Sequence, residues 1–107
     1  MTQELQVEMV KVGCEVALSG RLDAKSAPVA RALLAELVEG GDGDVLVHVG
    51  TLEIWDASGL GVLVGAHRTA RRAGRRLVLA EVPPRQVRLL RATGLHRLIT
   101  VEPAAVA

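Results

Sequence analysis

Apolar residues follow two patterns along the chain: short apolar runs, and longer stretches in which they recur every three or four positions. The segment 5–18 is rich in apolar residues but interrupted by Gly13, which predicts two strands joined by a turn near residues 11–13. Further strands are predicted at 44–49 and 76–82, and residues 98–101 are predicted to form a last short strand or an extended segment. Residues 50–56 are predicted to connect a strand to a helix.

Three segments between these strands have the spacing of amphipathic helices. The first helix is predicted to begin near Ser26 and Pro28 and to end at Gly40–Gly41. The second is predicted to begin at Ser58 and end at Gly74, and the third to begin at Pro83–Pro84 and end at Gly94. In the second helix, the spacing predicts an inward face that consists of Leu60, Leu63, Val64, His67 and Ala70. The order β-β-α-β-α-β-α-β predicts an α/β fold, with a mixed central sheet of roughly four to five strands and three to four helices.

The composition limits both the core and the ligands. Half of the 107 residues are apolar, yet Trp55 is the only aromatic residue. The core is therefore expected to consist of Val, Leu, Ile and Ala, and base stacking on an aromatic surface is not expected. A net charge of +1 also argues against binding to nucleic acid or a membrane surface. The length corresponds to a single domain over 1–107.

Cysteine content and hydropathy indicate the compartment. Cys14 is the only cysteine, which excludes an internal disulfide and a cysteine zinc cluster. The first residues lack a signal-peptide pattern, and the longest small and apolar run, 57–66, is too short to span a bilayer. We expect a cytoplasmic monomer that binds no metal or other cofactor.

Histidines and arginines offer no catalytic or metal motif. His48, His67 and His96 are far apart and lack the spacing of metal-binding pairs. A basic run near the end of the second helix is expected to form a solvated face that favours the helix dipole. That run consists of Arg68, Arg71, Arg72, Arg75 and Arg76.

The most informative segment is 54–64, which combines a strand exit, a polar turn and a glycine-rich helix start. Either Asp56 or Ser58 can cap the helix, and Gly59 and Gly61 permit close approach of a neighbouring backbone or a partner. A phosphate on Ser58 would meet free backbone N–H groups at the positive end of the helix dipole. The alternative is that Ser58 serves only as a cap.

Four motifs in this sequence resemble the STAS domain of bacterial anti-sigma factor antagonists. Residues 56–61 (Asp-Ala-Ser-Gly-Leu-Gly) resemble the signature D-S-S-G-L-G, and residues 20–23 (Gly-Arg-Leu-Asp) resemble G-x-L-D. Residues 73–79 resemble A-G-x-x-L-x-L, and the segment from Leu90 to Leu95 resembles L-x-x-[TS]-G-L. The motifs occur in the family's order and the resemblance covers 5–101, so it implies the STAS fold.

The resemblance also implies a function. Antagonists of this family bind an anti-sigma factor, a GHKL-type serine kinase, and thereby release a sigma factor. The kinase phosphorylates the serine that matches Ser58, the complex dissociates, and a serine phosphatase restores binding. The implied partner surface contains Asp23, Trp55, Asp56, Ala57, Ser58, Gly59 and Leu60.

Two residues depart from the family pattern. His48 stands in the third strand where the family often has aspartate, near the expected functional edge. Ala57 replaces a second small hydroxyl residue, which leaves Ser58 as the only hydroxyl at the helix start. The first departure bears on the identity of the partner, and the second sharpens the assignment of the phosphorylation site.

Two other functions compete with the phosphoswitch. STAS domains also serve as docking subunits of lipid transporters, as stressosome components or as small-ligand sensors, and none of these requires a phosphate on Ser58. A small hydrolase would use Ser58 as a nucleophile, but Asp56 stands where a nucleophile elbow needs glycine. We therefore expect the protein not to be an enzyme.

Overall fold

The computed structural model describes residues 4–54 and 56–105. Two strands form an opening hairpin, and three helices then alternate with three further strands, which confirms the predicted order. The elements are β1 (Gln6–Lys11), β2 (Glu15–Leu22), α1 (Ala27–Glu39), β3 (Val45–Ile54), α2 (Ala57–Arg72), β4 (Leu77–Val82), α3 (Pro84–Ala92), a 3₁₀ turn (Leu95–Arg97) and β5 (Thr100–Pro103).

The five strands form one mixed sheet in the order β1-β2-β3-β4-β5. β1 and β2 are antiparallel, and every later pair of neighbours is parallel. Right-handed crossovers that all advance in the same direction place the three helices on one face of the sheet. The carboxyl ends of β2 and β3 therefore lie together at one edge, where Leu22 pairs with Ile54.

The core lies between that sheet face and the helices and is aliphatic, as the composition predicts. Its largest fully buried side chains are Leu18, Leu22, Leu52, Leu63, Leu77, Leu79, Leu90, Ile99, Val38, Val45, Val47 and Val49. Strands β2 and β3 expose alternate side chains on the other face, which leaves that face polar at several positions.

Several predicted boundaries are wrong. β2 continues to Leu22 and does not end at residue 18. The segment 50–56 was expected to be a connection, but β3 continues to Ile54 because its parallel pairing with β2 resumes after an irregularity between Ala17 and Ser19. The last strand begins at Thr100 rather than at residue 98.

The buried face of α2 also differs from the prediction. It consists of Gly59, Val62, Leu63, Ala66 and Ala70. Three of these five residues are glycine or alanine, and at Gly59 a Cβ atom would lie only 2.7 Å from the Leu22 carbonyl oxygen, so a larger side chain would not fit there. The predicted inward residues Leu60, Val64 and His67 are half-buried at its margin.

Arg75 is the largest departure from the sequence analysis, which placed it on a solvated basic face. Only 7% of Arg75 is exposed. Its Nε donates to the carbonyl oxygen of Gly43 at 2.8 Å, and its Nη1 donates to Leu37 and Val38 at 3.1 and 2.7 Å. Its Nη2 donates to the carbonyl oxygens of Gly13 and Asp42 at 2.6 and 3.1 Å.

All five N–H donors of this guanidinium therefore have a backbone acceptor. The acceptors come from the turn after β1, the carboxyl end of α1 and the loop that follows it. Carbonyls in the last turn of a helix have no partner within the helix. Arg75 supplies that partner to α1, so it is a structural residue.

Candidate functional site

The loop between β2 and α1 is organised by Asp23 rather than by Ser26. The Asp23 carboxylate accepts hydrogen bonds from the backbone N–H groups of Lys25 and Ser26 at 3.0 and 3.1 Å. Ser26 occupies the predicted N-cap position, but its side chain makes no capping bond. Its hydroxyl instead donates to the Arg21 carbonyl oxygen at 2.9 Å and accepts from the Asp23 N–H at 3.1 Å.

The charge state of Asp23 follows from these contacts. The backbone hydrogen bond from Ser26 lowers the pKa of the Asp23 carboxyl, with further help from Lys25 and from the charge of Arg21. The Arg21 Nε lies 3.1 Å from the Asp23 carboxylate. Asp23 is therefore ionised and directed into its own loop, where it fixes the approach to α1.

Asp56 joins this loop to the start of α2. It is the N-cap of α2, with extended backbone dihedral angles, and its Oδ1 accepts from the Gly59 N–H at 3.2 Å. Its Oδ2 accepts from the Ala24 N–H at 3.3 Å. One carboxylate therefore caps α2 and connects it to the β2–α1 loop, which brings the two predicted acidic segments together.

Ser58 is the second residue of α2 and is half-buried. Because Asp56 caps the helix, the alternative in which Ser58 serves only as the cap is wrong. Its hydroxyl makes no hydrogen bond with any residue in 4–54 or 56–105. A hydroxyl without a structural role at a helix start can be modified without loss of a bond that the fold needs.

Gly59 brings α2 against the end of β2. A Cβ atom at this position would lie 2.7 Å from the Leu22 carbonyl oxygen and 3.0 Å from a methyl carbon of Ile54. Gly59 is therefore buried, and its role in this segment is to permit the close approach that positions its neighbours.

The remaining predicted site residues differ in accessibility. Asp56 and Ala57 are exposed, whereas Leu60 is half-buried and packs against the core. Trp55 lies outside the described residues. Arg31 is not among the predicted site residues. It is an exposed residue of α1 whose guanidinium reaches the surface of α2 next to Gly61. No sequence motif marks it, because the contact depends on how the two helices pack.

His48 lies on the outer face of the sheet, not near the site. His48 lies six positions before Ile54 in β3, which is about 20 Å along a strand. Its Nε2 lies 2.5 Å from the Glu15 carboxylate and its Nδ1 lies 2.7 Å from the Glu81 carboxylate. These hydrogen bonds, that of Glu15 above all, raise the pKa of His48. His48 is therefore a sheet residue, as predicted, but the prediction that it lies near the functional edge is wrong.

The rest of the described structure offers neither a metal site nor a membrane span. Within residues 4–54 and 56–105, no group of three or more His, Cys, Asp and Glu side chains could hold a metal ion. In the same ranges, no helix has the length and hydropathy needed to cross a bilayer.

The fold and this edge define a class: a small α/β domain in which two polar loops meet where parallel strands end and a helix begins. A family model described as "Mlab, STAS domain" matches residues 5–100. The chain belongs to the STAS domain family, which confirms the resemblance of its four motifs.

Known relatives agree with this assignment. The anti-sigma-B factor antagonist of Bacillus subtilis is 32% identical over 101 residues, which cover 94% of this chain and 92% of that protein. The anti-sigma-B factor antagonist of Staphylococcus aureus is 30% identical over 87 residues, which cover 81% of each chain. The solved structure of the anti-sigma factor antagonist SpoIIAA in its unphosphorylated form has a TM-score of 0.70 at 23% identity, and covers 92% of this chain and 87% of that one.

Proposed function

We propose that this protein is an anti-sigma factor antagonist whose binding to its partner is controlled by phosphorylation of Ser58. The partner is an anti-sigma factor that is also a GHKL-type serine kinase, and its capture releases a sigma factor. A serine phosphatase reverses the modification. The observation that carries the proposal is the Ser58 hydroxyl at the start of α2. It makes no hydrogen bond with any described residue, and Asp56 provides the cap of the helix.

The proposed partner surface surrounds that hydroxyl. It contains Asp23, Trp55, Asp56, Ala57, Ser58, Gly59 and Leu60. Within it, the exposed Asp56 and Ala57 would meet the partner directly. Asp23 and Gly59 would act by fixing the loop and the helix start on which those residues lie. The protein would work as a cytoplasmic monomer, and the exchange of partners would need no metal or other cofactor.

The effect of phosphorylation follows from charge and volume. A phosphate adds about 1.5 to 2 negative charges at neutral pH. On Ser58 it would lie near the Asp56 carboxylate, and a partner that accommodates the hydroxyl would have to accommodate a dianion. Mismatched charge in an interface costs several kcal/mol, and about 1.4 kcal/mol corresponds to tenfold in affinity. A loss of about a hundredfold to a thousandfold in affinity therefore requires no change of fold.

The test is phosphorylation and binding with the cognate anti-sigma factor. Incubation of the protein with that kinase and ATP should add one phosphate, located at Ser58 by intact-mass and peptide analysis. Ser58→Asp should weaken binding at least tenfold, whereas Ser58→Ala should bind as tightly as the wild type and remain unmodified. Thr69→Asp is the matched control, because it adds a negative charge on the same helix far from its start. Labelling at another residue, or undiminished binding by Ser58→Asp, would refute the phosphoswitch.

A second candidate is a STAS docking module that acts without phosphate, as a transporter or stressosome subunit or a ligand sensor. The support for it is the family model that matches residues 5–100, which is described as "Mlab, STAS domain". In this case an affinity-purified complex would contain another partner, and Ser58→Asp would disturb binding no more than any other change at the surface.

A further inference from the structure

A guanidinium of α1 lies against α2 next to Gly61, about one helical turn from Ser58. Ser58 and Gly61 are three residues apart in α2 and thus share one side of the helix, with about 5–6 Å between their Cβ positions. A Cβ atom at Gly61 would lie 3.8 Å from Nη2 of Arg31, and no other atom outside the local helix backbone lies within 4 Å of that position. No side chain at position 61 therefore separates Ser58 from this guanidinium.

Arg31 has no partner among the described residues of the unmodified protein. It is exposed, and it forms no ion pair or hydrogen bond with any residue of the ranges 4–54 and 56–105. Arg31 differs in this respect from Arg75, which is satisfied by backbone carbonyls, and from Arg76, which pairs with Asp44 at 2.7 Å. Other exposed arginines, such as Arg68, also lack a partner among the described residues, but Arg31 is the arginine whose guanidinium lies next to Gly61. Arg31 can therefore bind a new group without losing a bond to any of the described residues.

We propose that Arg31 is the counter-charge for phosphoserine at position 58, and that its guanidinium binds the phosphate across the open surface at Gly61. This inference rests on the proposed modification of Ser58. The fork of an arginine matches two phosphate oxygens, and such charge-assisted bonds are about twice as strong as neutral ones. Because both groups belong to the same chain, the contact forms at a high effective concentration.

The contact adds a second element to the switch. The unmodified surface offers a partner an exposed cation, Arg31, beside the helix start. Phosphorylation would both add an anion and occupy that cation, so the modified surface loses a positive group that a partner could use. The bond between the phosphate and Arg31 would also link α2 to α1. In the unmodified protein, Arg31 makes no hydrogen bond or ion pair with the described residues of α2.

The test uses the full chain with phosphoserine incorporated at position 58 during synthesis, so that neither kinase nor partner is needed. ³¹P NMR follows the second ionisation of the phosphate, which occurs at about pH 6 in an unperturbed phosphoserine. A nearby cation favours the dianion, so we expect the transition to occur about half a pH unit lower in the wild type than in Arg31→Gln. The difference should shrink in 1 M salt, because exposed charges are screened over about 3 Å there.

Two control variants separate a specific contact from net charge. Arg68→Gln removes an exposed arginine from the same helix, ten residues from Ser58 and thus about 15 Å along the axis, and should leave the titration unchanged. Arg31→Lys keeps the charge without the fork and should shift the titration only partly. Thermal melts of the unmodified variants verify that they are folded, as expected for exposed positions.

The outcomes are distinguishable from those of the proposed function. Superimposable titrations of wild type and Arg31→Gln would overturn the role of Arg31, even if Ser58→Asp still released the partner. An equal shift in Arg68→Gln would also overturn it, because only the net charge would then matter. A clear Arg31-dependent shift supports the contact, even if the partner proves indifferent to phosphate and the proposed function fails.

Discussion

The two ends of the parallel strands, which form opposite edges of the mixed sheet, are stabilised in different ways. At the amino ends of the strands, Arg75 is buried and donates five hydrogen bonds to backbone carbonyls of three separate segments. At the carboxyl ends, Asp23 and Asp56 accept bonds from backbone N–H groups and remain at the surface. One edge is fastened by a buried cation and the other by partly exposed carboxylates.

This difference separates stability from function. A buried group with every donor satisfied tolerates little change, since its loss leaves several carbonyls without partners. A carboxylate at the surface can lose a hydrogen bond at a smaller cost in stability, because water replaces the lost partner. The helix start that Asp56 caps also carries the Ser58 hydroxyl, which makes no hydrogen bond with any described residue. In α/β sheets, ligand sites lie at the carboxyl ends of strands. The proposed partner surface follows that rule, while the opposite edge maintains the fold.

The largest effect is expected at the amino edge. Arg75→Ala should lower the free energy of unfolding by about 3 kcal/mol or more, because buried carbonyls at the end of α1 lose their donors. Arg75→Lys should recover part of this loss, since an ammonium has fewer donors and no planar fork. Urea denaturation monitored by circular dichroism measures both variants.

Arg72→Ala is the matched control for Arg75, because Arg72 is an exposed arginine three residues away. It should change stability by no more than about 0.5 kcal/mol. If Arg75→Ala were as mild as this control, the contrast between the two edges would be wrong.

A smaller effect is expected where α2 contacts the end of β2. Gly59→Ala places a methyl group against the Leu22 carbonyl oxygen, 2.7 Å away, and should cost about 1–3 kcal/mol because backbone must move. Gly65→Ala in the same helix meets no atom within 4 Å and should stabilise the protein by about 0.5–1 kcal/mol. Opposite signs for the two changes in urea denaturation would support the packing described here, and equal signs would contradict it.

The sequence predicts the order of the elements well, because apolar periodicity and glycine stops report local structure. It also locates the helix start at 56–61, where residue types and a family signature coincide. Arg75 shows the limit of this approach. A residue in a run of five arginines looks solvated, and only the meeting of segments around Gly13, Val38 and Gly43 makes it a buried donor.

Other details were unpredictable for the same reason. Ser26 and Asp23 are both good capping residues, and the geometry of the loop decides that the carboxylate accepts the backbone bonds. Arg31 has no local signal at all, since its proximity to Gly61 results from the packing of α1 on α2. Patterns along the chain predict elements, whereas partners across the fold require the tertiary structure.

A still smaller change in stability is expected at the helix cap. Asp56→Ala should cost about 1 kcal/mol, because α2 loses its capping acceptor and the Ala24 N–H loses a bond. Ser58→Ala should change stability by less than about 0.5 kcal/mol, since its hydroxyl makes no bond within 4–54 or 56–105. A loss of stability in Ser58→Ala as large as that in Asp56→Ala would show that both residues hold the helix start, which contradicts the assignment of the cap.

The smallest effect concerns the outer face of the sheet between the two edges, where His48 joins three strands. Glu15 belongs to β2, His48 to β3 and Glu81 to β4, and each carboxylate contacts one ring nitrogen of the imidazole. Ionised carboxylates only accept hydrogen bonds, so both nitrogens donate only when the ring is protonated. The pKa of His48 is therefore raised in the folded state, because the hydrogen bonds to Glu15 and Glu81 stabilise the protonated ring.

The sign of the resulting pH dependence follows by linkage. The contribution is complete below the unfolded pKa of 6.5 and is lost as the pH rises through the higher folded pKa of His48. We expect a loss of about 1 kcal/mol or less, because Glu81 is well exposed and its share is reduced by solvent. Denaturation of wild type and His48→Gln between pH 5.5 and 8.5 should show stability that declines above pH 6.5 only in the wild type. Because His48 lies about 20 Å along β3 from the end where the proposed partner surface lies, partner binding should not follow the same curve. A parallel decline in both would mean that the outer face, too, belongs to the functional surface.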